Sequence, residues 1–466
     1  MPALIEPCFP TTSTQETISR KYDVSKNGFL PSSAPLRRLS NHCYALWELL
    51  AEKLPELLER KLLRYIVDGS QVLSTDKLQS EEEWRRAYVI LVFLAHGYIW
   101  GGDTPSEVLP PQITVPLLQV AEHLDLPPCA TYAGLVLWNF ETIDGSDDFR
   151  NPDNLRATTT FTGTESESWF YMISAALEAQ SAWVMPLMVD AIEATHSRDY
   201  AKMRKGLEQI AVAIRKMDEL LTRMYERCDP ALFYDKIRPY LAGSANMEAA
   251  GLPRGVFYDE GDGKGSWRKL MGGSNGQSSL IQFFDVVLGV EHTGGADKAS
   301  VPKTCPVSGM ASEESSSGCP VSSGKEKSMG YHEKVRAYMP EPHRRFLRSL
   351  ARMGSLQAFA STPQPDPEFE AVKELYQLAC KTMGDFRCTH IQVVTKYIII
   401  QARKQPVGET LNLAKASSTS DGSDLKGTGG TSLAAFLKQS RDESYQAGRV
   451  PDQPPAGLST SQYAVM

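Results

Sequence analysis

The chain has 466 residues, 42% of them hydrophobic and 23% charged, with a formal charge of −7. An acidic excess with scattered Lys and Arg argues against a nucleic-acid surface, and no apolar run reaches the length that spans a bilayer. The eight cysteines and eight histidines fall in no Cys-x-x-Cys, His-x-x-x-His or His-Glu-x-x-His spacing. A reduced protein without a zinc site built from neighbouring ligands is expected.

Taken in chain order, residues 1–34 form an arm with neither a basic n-region nor an apolar h-region, so a cytoplasmic protein is expected. Ser40 and Asn41 cap a helix predicted over 44–67, with Leu49, Leu50, Leu54, Leu57 and Leu58 on its apolar side. A capping box, Ser80 followed by Glu83, opens a second helix over 80–100. Shorter helices over 116–124 and 132–140 complete a small helical domain, 35–150. A larger helical domain, 151–442, then begins. Residues 166–195 are almost continuously apolar, and 198–227 carry amphipathic period through Tyr200, Met203, Leu207, Ile210, Ile214, Met217 and Leu221. Residues 277–290 and 332–352 read as two more helices. Period-two alternation is absent, so the expected class is all-α with minor strands.

Three stretches are too poor in apolar residues to order themselves: 293–330, 404–431 and a tail over 443–466. The middle one ends in Lys426-Gly427-Thr428-Gly429-Gly430-Thr431, which is either a linker or a lid. The first holds two Cys-Pro-Val repeats, Cys305-Pro306-Val307 and Cys319-Pro320-Val321, a pairing that in other settings serves as a weak regulatory haem ligand.

The longest regular seam runs through Phe369, Val372, Tyr376, Ala379, Met383, Phe386, His390, Val393 and Tyr397. Steps of three and four put all nine on one face of one helix. His390 is its single strong ligand, and an inward imidazole must satisfy two nitrogens by hydrogen bonds or by a metal. On geometry alone the ordinary outcome is a core histidine bonded to a carbonyl. Dispersed histidines point to a cofactor that asks the protein for one ligand.

Three further candidates carry a dull reading beside a functional one. Gly272-Gly273-Ser274-Asn275-Gly276 matches the Gly-x-Ser-x-Gly elbow of serine hydrolases, but no strand-like run precedes it, so a tight glycine turn into the next helix is expected. Arg238 is either a solvated charge or, beside Phe233 and Tyr234, a partner for a ligand carboxylate. Arg387, three residues before His390, is either paired with an acid such as Asp285 or directed at a cofactor carboxylate.

FRCTHIQVVTKYIII, GGSNGQSSLIQFFDVVLG, AYMPEPHRRFLRSL, LPPCATYAGLVLWNF and KGTGGTSLAAFLK together resemble the indoleamine 2,3-dioxygenase family in its fungal form. The resemblance covers roughly residues 35–290 and 331–438. It implies an all-helical enzyme, a small N-terminal domain packed on a larger one that holds a single haem b. By residue match it makes His390 the iron ligand, places Arg387 near a haem propionate and gives Asp285 the supporting acid. Tyr132, Phe170, Ser174, Phe233 and Arg238 fall on the substrate side, with Gly273 and Ser274 in the glycine turn and Thr428 in a loop that closes over substrate.

The implied reaction joins L-tryptophan and O2 to give N-formyl-L-kynurenine, the opening step of tryptophan catabolism toward NAD. Expected with it are a monomer, an external reductant that keeps iron ferrous, and no membrane partner. No pocket residue is expected to serve as a general base. Asn275, Tyr234 and Leu135 depart from the residues usual in the family's mammalian members, which bears on substrate preference. A haem-binding sensor or carrier without oxygenase activity is the alternative.

Overall fold

A computed structural model describes residues 12–292, 331–404, 425, 427 and 433–450. The expected class holds: helices dominate, and the strands are few and short. Val108–Leu109 pairs parallel with Val256–Gly261, which pairs antiparallel with Lys264–Arg268. Phe140–Thr142 and Leu155–Ala157 form a separate two-stranded ribbon. Among the described residues, no single helix is long and apolar enough to cross a membrane.

The N-terminal half is organised around helix Glu81–Trp100, buried from Arg86 to Ile99. Its start follows the capping logic: Glu83 N–H donates to Ser80 Oγ at 3.3 Å, while the Glu83 carboxylate reaches back to Gln79 N–H at 2.7 Å. Arg86 donates to both oxygens of buried Glu48, at 3.2 and 2.7 Å, and to Thr159. That pair fastens the preceding leucine-rich segment to the central helix.

The leucine-rich segment itself is not one helix. It breaks into Ala45–Glu52, Leu54–Glu59 and Leu63–Asp68. Pro55 supplies no N–H to continue the first piece, and Lys61 takes a left-handed φ of 56° between the second and third. Other boundaries also move. The 166–195 run splits into Glu165–Gln180 and Val184–Ser197, bent by 44°. Helix 332–352 is cut by Pro340 into Tyr331–Arg336 and Glu341–Met353.

The C-terminal half is built on helix Pro367–Val394, which continues through a wider turn, Thr395–Ile399, into Ile400–Arg403. The seam from Phe369 to Tyr397 therefore lies on one unbroken rod, as its period predicts. This rod packs along Tyr200–Thr222 on one side and Leu433–Ala447 on the other. The latter helix runs past residue 443, where the sequence reading began a disordered tail. Its small buried residues Ser440, Ser444 and Ala447, and the bonds Ser440 and Ser444 accept from Arg387 of the long helix, hold it there despite its polar composition. The 293–330 insertion with its Cys-Pro-Val repeats, most of the 404–431 loop and residues after 450 lie outside the described residues.

Candidate active site

One cavity of about 250 Å³ gathers almost every residue singled out from the sequence: Tyr132, Phe170, Ser174, Phe233, Arg238, Gly273, Ser274, Arg387 and His390. Asp285 stands behind this wall, bonded to Arg387. Thr428 lies outside the described residues, although its neighbour Gly427 reaches the cavity.

The wall is assembled from segments far apart in sequence. Phe170 and Ser174 sit one turn apart on helix Glu165–Gln180, whose start is capped by Thr164. The Phe170 ring packs against Phe233 with centroids 4.8 Å apart, and Phe233 meets Tyr397 edge-on at 5.7 Å. Ser174 Oγ donates to the Phe170 carbonyl at 3.3 Å. The Tyr132 N–H donates to Gln277 Oε1 at 2.9 Å, and Gln277 Nε2 donates to the Gly272 carbonyl at 2.8 Å. One glutamine thus clamps the tyrosine segment to the glycine turn.

That turn is no nucleophile elbow. The strand before it, Lys264–Arg268, is mostly exposed and ends well short of Ser274, whose Oγ accepts from Gly276 N–H at 3.2 Å as a local cap. Its glycines serve close backbone packing. A Cβ on Gly272 would collide with the Leu241 carbonyl oxygen and Gly243 nitrogen, and one on Gly243 with the Leu270 carbonyl oxygen.

Three π turns, Ala133–Leu137, Phe233–Ile237 and Thr395–Ile399, each contribute cavity residues. A π turn inserts one residue and bulges the backbone, a distortion found often at functional sites. Arg238 follows the second of them. It is only 4% exposed, its guanidinium 5.7 Å from the Tyr234 ring centroid, and burial lowers its pKa. The surface-charge reading of Arg238 is excluded. A cation taken so far out of water favours an anionic partner.

Arg387 spends its guanidinium within the protein. It donates to Asp285 Oδ1 and Oδ2 at 2.6 and 2.8 Å, and to the Ser440 carbonyl and Ser444 Oγ at 2.5 Å each. Asp285 also meets His292 Nε2 at 3.0 Å, and His292 Nδ1 meets Glu443 at 2.7 Å. Burial opposes charge on His292, but its two carboxylate partners prevail and its pKa is raised. This network locks the C-terminal helix and helix Ser279–Leu288 onto the long helix beside His390. The ion-pair reading of Arg387 is thus realised.

His390 differs from every neighbour. It hydrogen-bonds nothing among the described residues, and it is half-buried only because the cavity opens against it. Burial, then the Arg387 charge, push its pKa down to about 4, so the ring is neutral with a lone pair to give. No cluster of three or more His, Cys, Asp or Glu able to hold a metal exists among the described residues. The donor set therefore fits an iron that brings its own macrocycle and takes one imidazole, inside a wall that is mostly apolar.

The chain matches the family model for indoleamine 2,3-dioxygenase over residues 18–447. It belongs to that family. Among curated relatives it is 38% identical over 448 residues to an indoleamine 2,3-dioxygenase of Saccharomyces cerevisiae, covering 91% of this chain and 92% of the yeast protein. It is 35% identical to one from Aspergillus nanangensis, covering 92% of this chain and 97% of that protein. A 6-hydroxytryptophan 2,3-dioxygenase of Fusarium equiseti is 32% identical, with 91% and 96% covered. The chain is a dioxygenase of the haem-dependent, indole-cleaving type, and the sensor or carrier alternative gives way.

Two wall residues were not anticipated from sequence. Tyr331 is half-buried against Phe436, with ring centroids 4.7 Å apart, and its phenol bonds Ser274. Glu178 is 1% exposed, accepts from Ser278 Oγ at 2.7 Å, and has its pKa raised by burial to about 7. Glu178 sits in an apolar run that reads as core, so its period gave no signal.

Proposed function

We propose that this protein binds one haem b through His390 and converts L-tryptophan and O2 to N-formyl-L-kynurenine, opening tryptophan catabolism toward NAD. The observation that carries this reading is the neutral, unbonded His390 imidazole facing the same apolar cavity as a buried Arg238. Haem iron supplies activation of dioxygen, chemistry that no side chain here can perform. The reaction balances within its substrates: both oxygens end on the two carbons of the broken indole bond. Electrons are needed only to keep iron ferrous, the task of an external reductant. The protein is read as a cytoplasmic monomer.

The side chains bind, orient and exclude water. Arg238 takes the substrate carboxylate, and Tyr132, Phe170 and Phe233 hold the indole. Ser174, whose hydroxyl can turn from the Phe170 carbonyl, offers a donor or acceptor beside the reacting edge. Asp285 and Arg387 brace the helix that carries His390, and Arg387 with the Gly273–Ser274 turn borders the cofactor edge. Thr428 belongs to the closing loop, which keeps water out during turnover.

The fungal relative named for 6-hydroxytryptophan makes substrate choice the point to test. The reduced, haem-loaded protein is given L-tryptophan, D-tryptophan and 6-hydroxytryptophan under air, and the formylkynurenine chromophore is followed. Fastest turnover of L-tryptophan at low concentration is expected. A clear preference for the hydroxylated substrate reassigns the substrate and leaves the dioxygenase intact.

A further inference from the structure

Among the described residues, Glu178 is the one buried acid on the cavity wall that the proposed reaction leaves unused. One carboxyl oxygen accepts from Ser278 Oγ at 2.7 Å, and Ser278 Oγ in turn accepts from Ile281 N–H at 3.3 Å. The Ser278 hydroxyl is thereby committed as a donor to Glu178 and as the cap of helix Ser279–Leu288. The Tyr132 phenol lies beside both the carboxyl and that hydroxyl, and it is fully enclosed. Gln277, which holds the Tyr132 backbone, is adjacent to Ser278. The acid thus touches both sides of the seam between the tyrosine segment and the glycine turn.

We propose that Glu178 is a positioning residue for the dioxygenase reaction: its carboxyl sets whether the Tyr132 hydroxyl points toward the ligand or is drawn back into the wall. The inference rests on the cavity being the substrate and haem site.

The protonation states differ in what they ask of Tyr132. A neutral carboxyl carries its own O–H, which donates to the phenol oxygen and leaves the phenol proton for a ligand. An ionised carboxylate only accepts, so it captures the hydrogens of Ser278 and Tyr132 together. Burial raises the pKa to about 7, against the pull of Ser278 and Tyr132 toward the charged form, so both states are populated near neutrality.

No charge stands close enough to fix one state. Helix Tyr200–Thr222 meets this part of the wall with Met217 and Leu221. The turn at Gly28, packed on the Glu178 carbonyl, keeps Lys26 exposed and paired with Asp147. Behind Ser278, Ser279 Oγ bonds His343, which burial holds neutral with a pKa of about 3. The other titratable or charged groups on the wall are Tyr171, Arg238, Tyr331, Arg387, His390 and Tyr397.

The test follows L-tryptophan binding to the holoenzyme by its Soret shift, together with KM and kcat, across neutral pH. In the wild type, affinity is expected to weaken and KM to rise about threefold to tenfold as pH climbs through the Glu178 transition, the worth of one hydrogen bond, with kcat nearly level. Glu178→Gln, whose amide donates and accepts as the neutral acid does, is expected to hold the acid-side affinity with no limb. Ser278→Ala removes a donor that favours ionisation, so the limb moves to higher pH. An infrared band of a protonated carboxyl, titrating in the wild type with or without cofactor and missing in Glu178→Gln, reads the same group independently of turnover.

A flat wild-type profile, or a limb unchanged in Glu178→Gln, overturns the proposal. If Glu178→Gln does not fold, an unshifted limb in Ser278→Ala overturns it alone. A wild-type protein that takes up no haem defeats the cavity reading itself, and the inference with it, while the infrared band still reports Glu178.

Discussion

Two histidines, one in each half of the molecule, have opposite fates. His96 lies inside helix Glu81–Trp100, where Nδ1 donates to the Tyr240 carbonyl at 2.7 Å and Nε2 accepts from Ala130 N–H at 3.0 Å. Both ring nitrogens are satisfied by backbone, which is the ordinary use of a core histidine. His390 has no such partner among the described residues and borders a cavity instead of packed atoms. Burial pushes the pKa of each down to about 4. Depressed basicity therefore does not separate structure from function here; the surroundings of the lone pair do.

Removing the brace of the His390 region is expected to cost most. Asp285→Ala leaves Arg387 charged and buried beside the helix that carries His390, a loss of about 3–5 kcal/mol, read by chemical denaturation. On the other side of the comparison, His96→Ala strands a buried N–H and a buried carbonyl. It should destabilise the fold by about 2–4 kcal/mol, yet the folded fraction should load haem as the wild type does. Loss of haem binding from folded His96→Ala would erase the distinction between the two rings.

Arg238→Ala removes the proposed carboxylate partner without touching His390. A fall in kcat/KM for L-tryptophan of about 10- to 150-fold is expected, equivalent to about 1.5–3 kcal/mol for a charge-assisted bond, with haem content unchanged. Normal turnover at low tryptophan would remove Arg238 from the substrate site.

Acid titration gives the smallest separation but addresses both rings. His96, His343 and His390 are all held well below the ordinary histidine value. The unfolded chain then binds more protons at mildly acid pH, so their contribution is full above about pH 6.5 and is lost as pH falls toward 3–4. Glu178 has the reverse sign, because a raised carboxyl pKa contributes fully below its unfolded value and is lost as pH rises to about 7. In the haem-loaded protein, protons also compete with iron for His390, so cofactor release should accompany acidification. The His96→Ala background should release it in the same range.

The His390 seam was legible because a 3.6-residue period survives burial, and the Ser80–Glu83 cap because its chemistry is local. Arg238 and the glycine turn were visible as residues but not as neighbours, since only the fold brings positions 132, 238 and 273 to one wall. The three π turns were hidden because one inserted residue leaves an apolar pattern nearly intact. Glu178 was hidden for the opposite reason: a single acid in an apolar run carries no period, and its meaning comes from Ser278, a hundred residues away. The 44–67 stretch misled because leucine spacing persists across Pro55 and the left-handed Lys61.

The central claim is a bond between the His390 imidazole and haem iron. Hemin is titrated into wild type and His390→Ala, each first shown to be folded by circular dichroism, and the Soret band is recorded. One haem per wild-type chain, with the band weakened and shifted in the variant and restored by added imidazole, is the predicted result. An identical band in both proteins, or a folded wild type that takes up no hemin, contradicts the account.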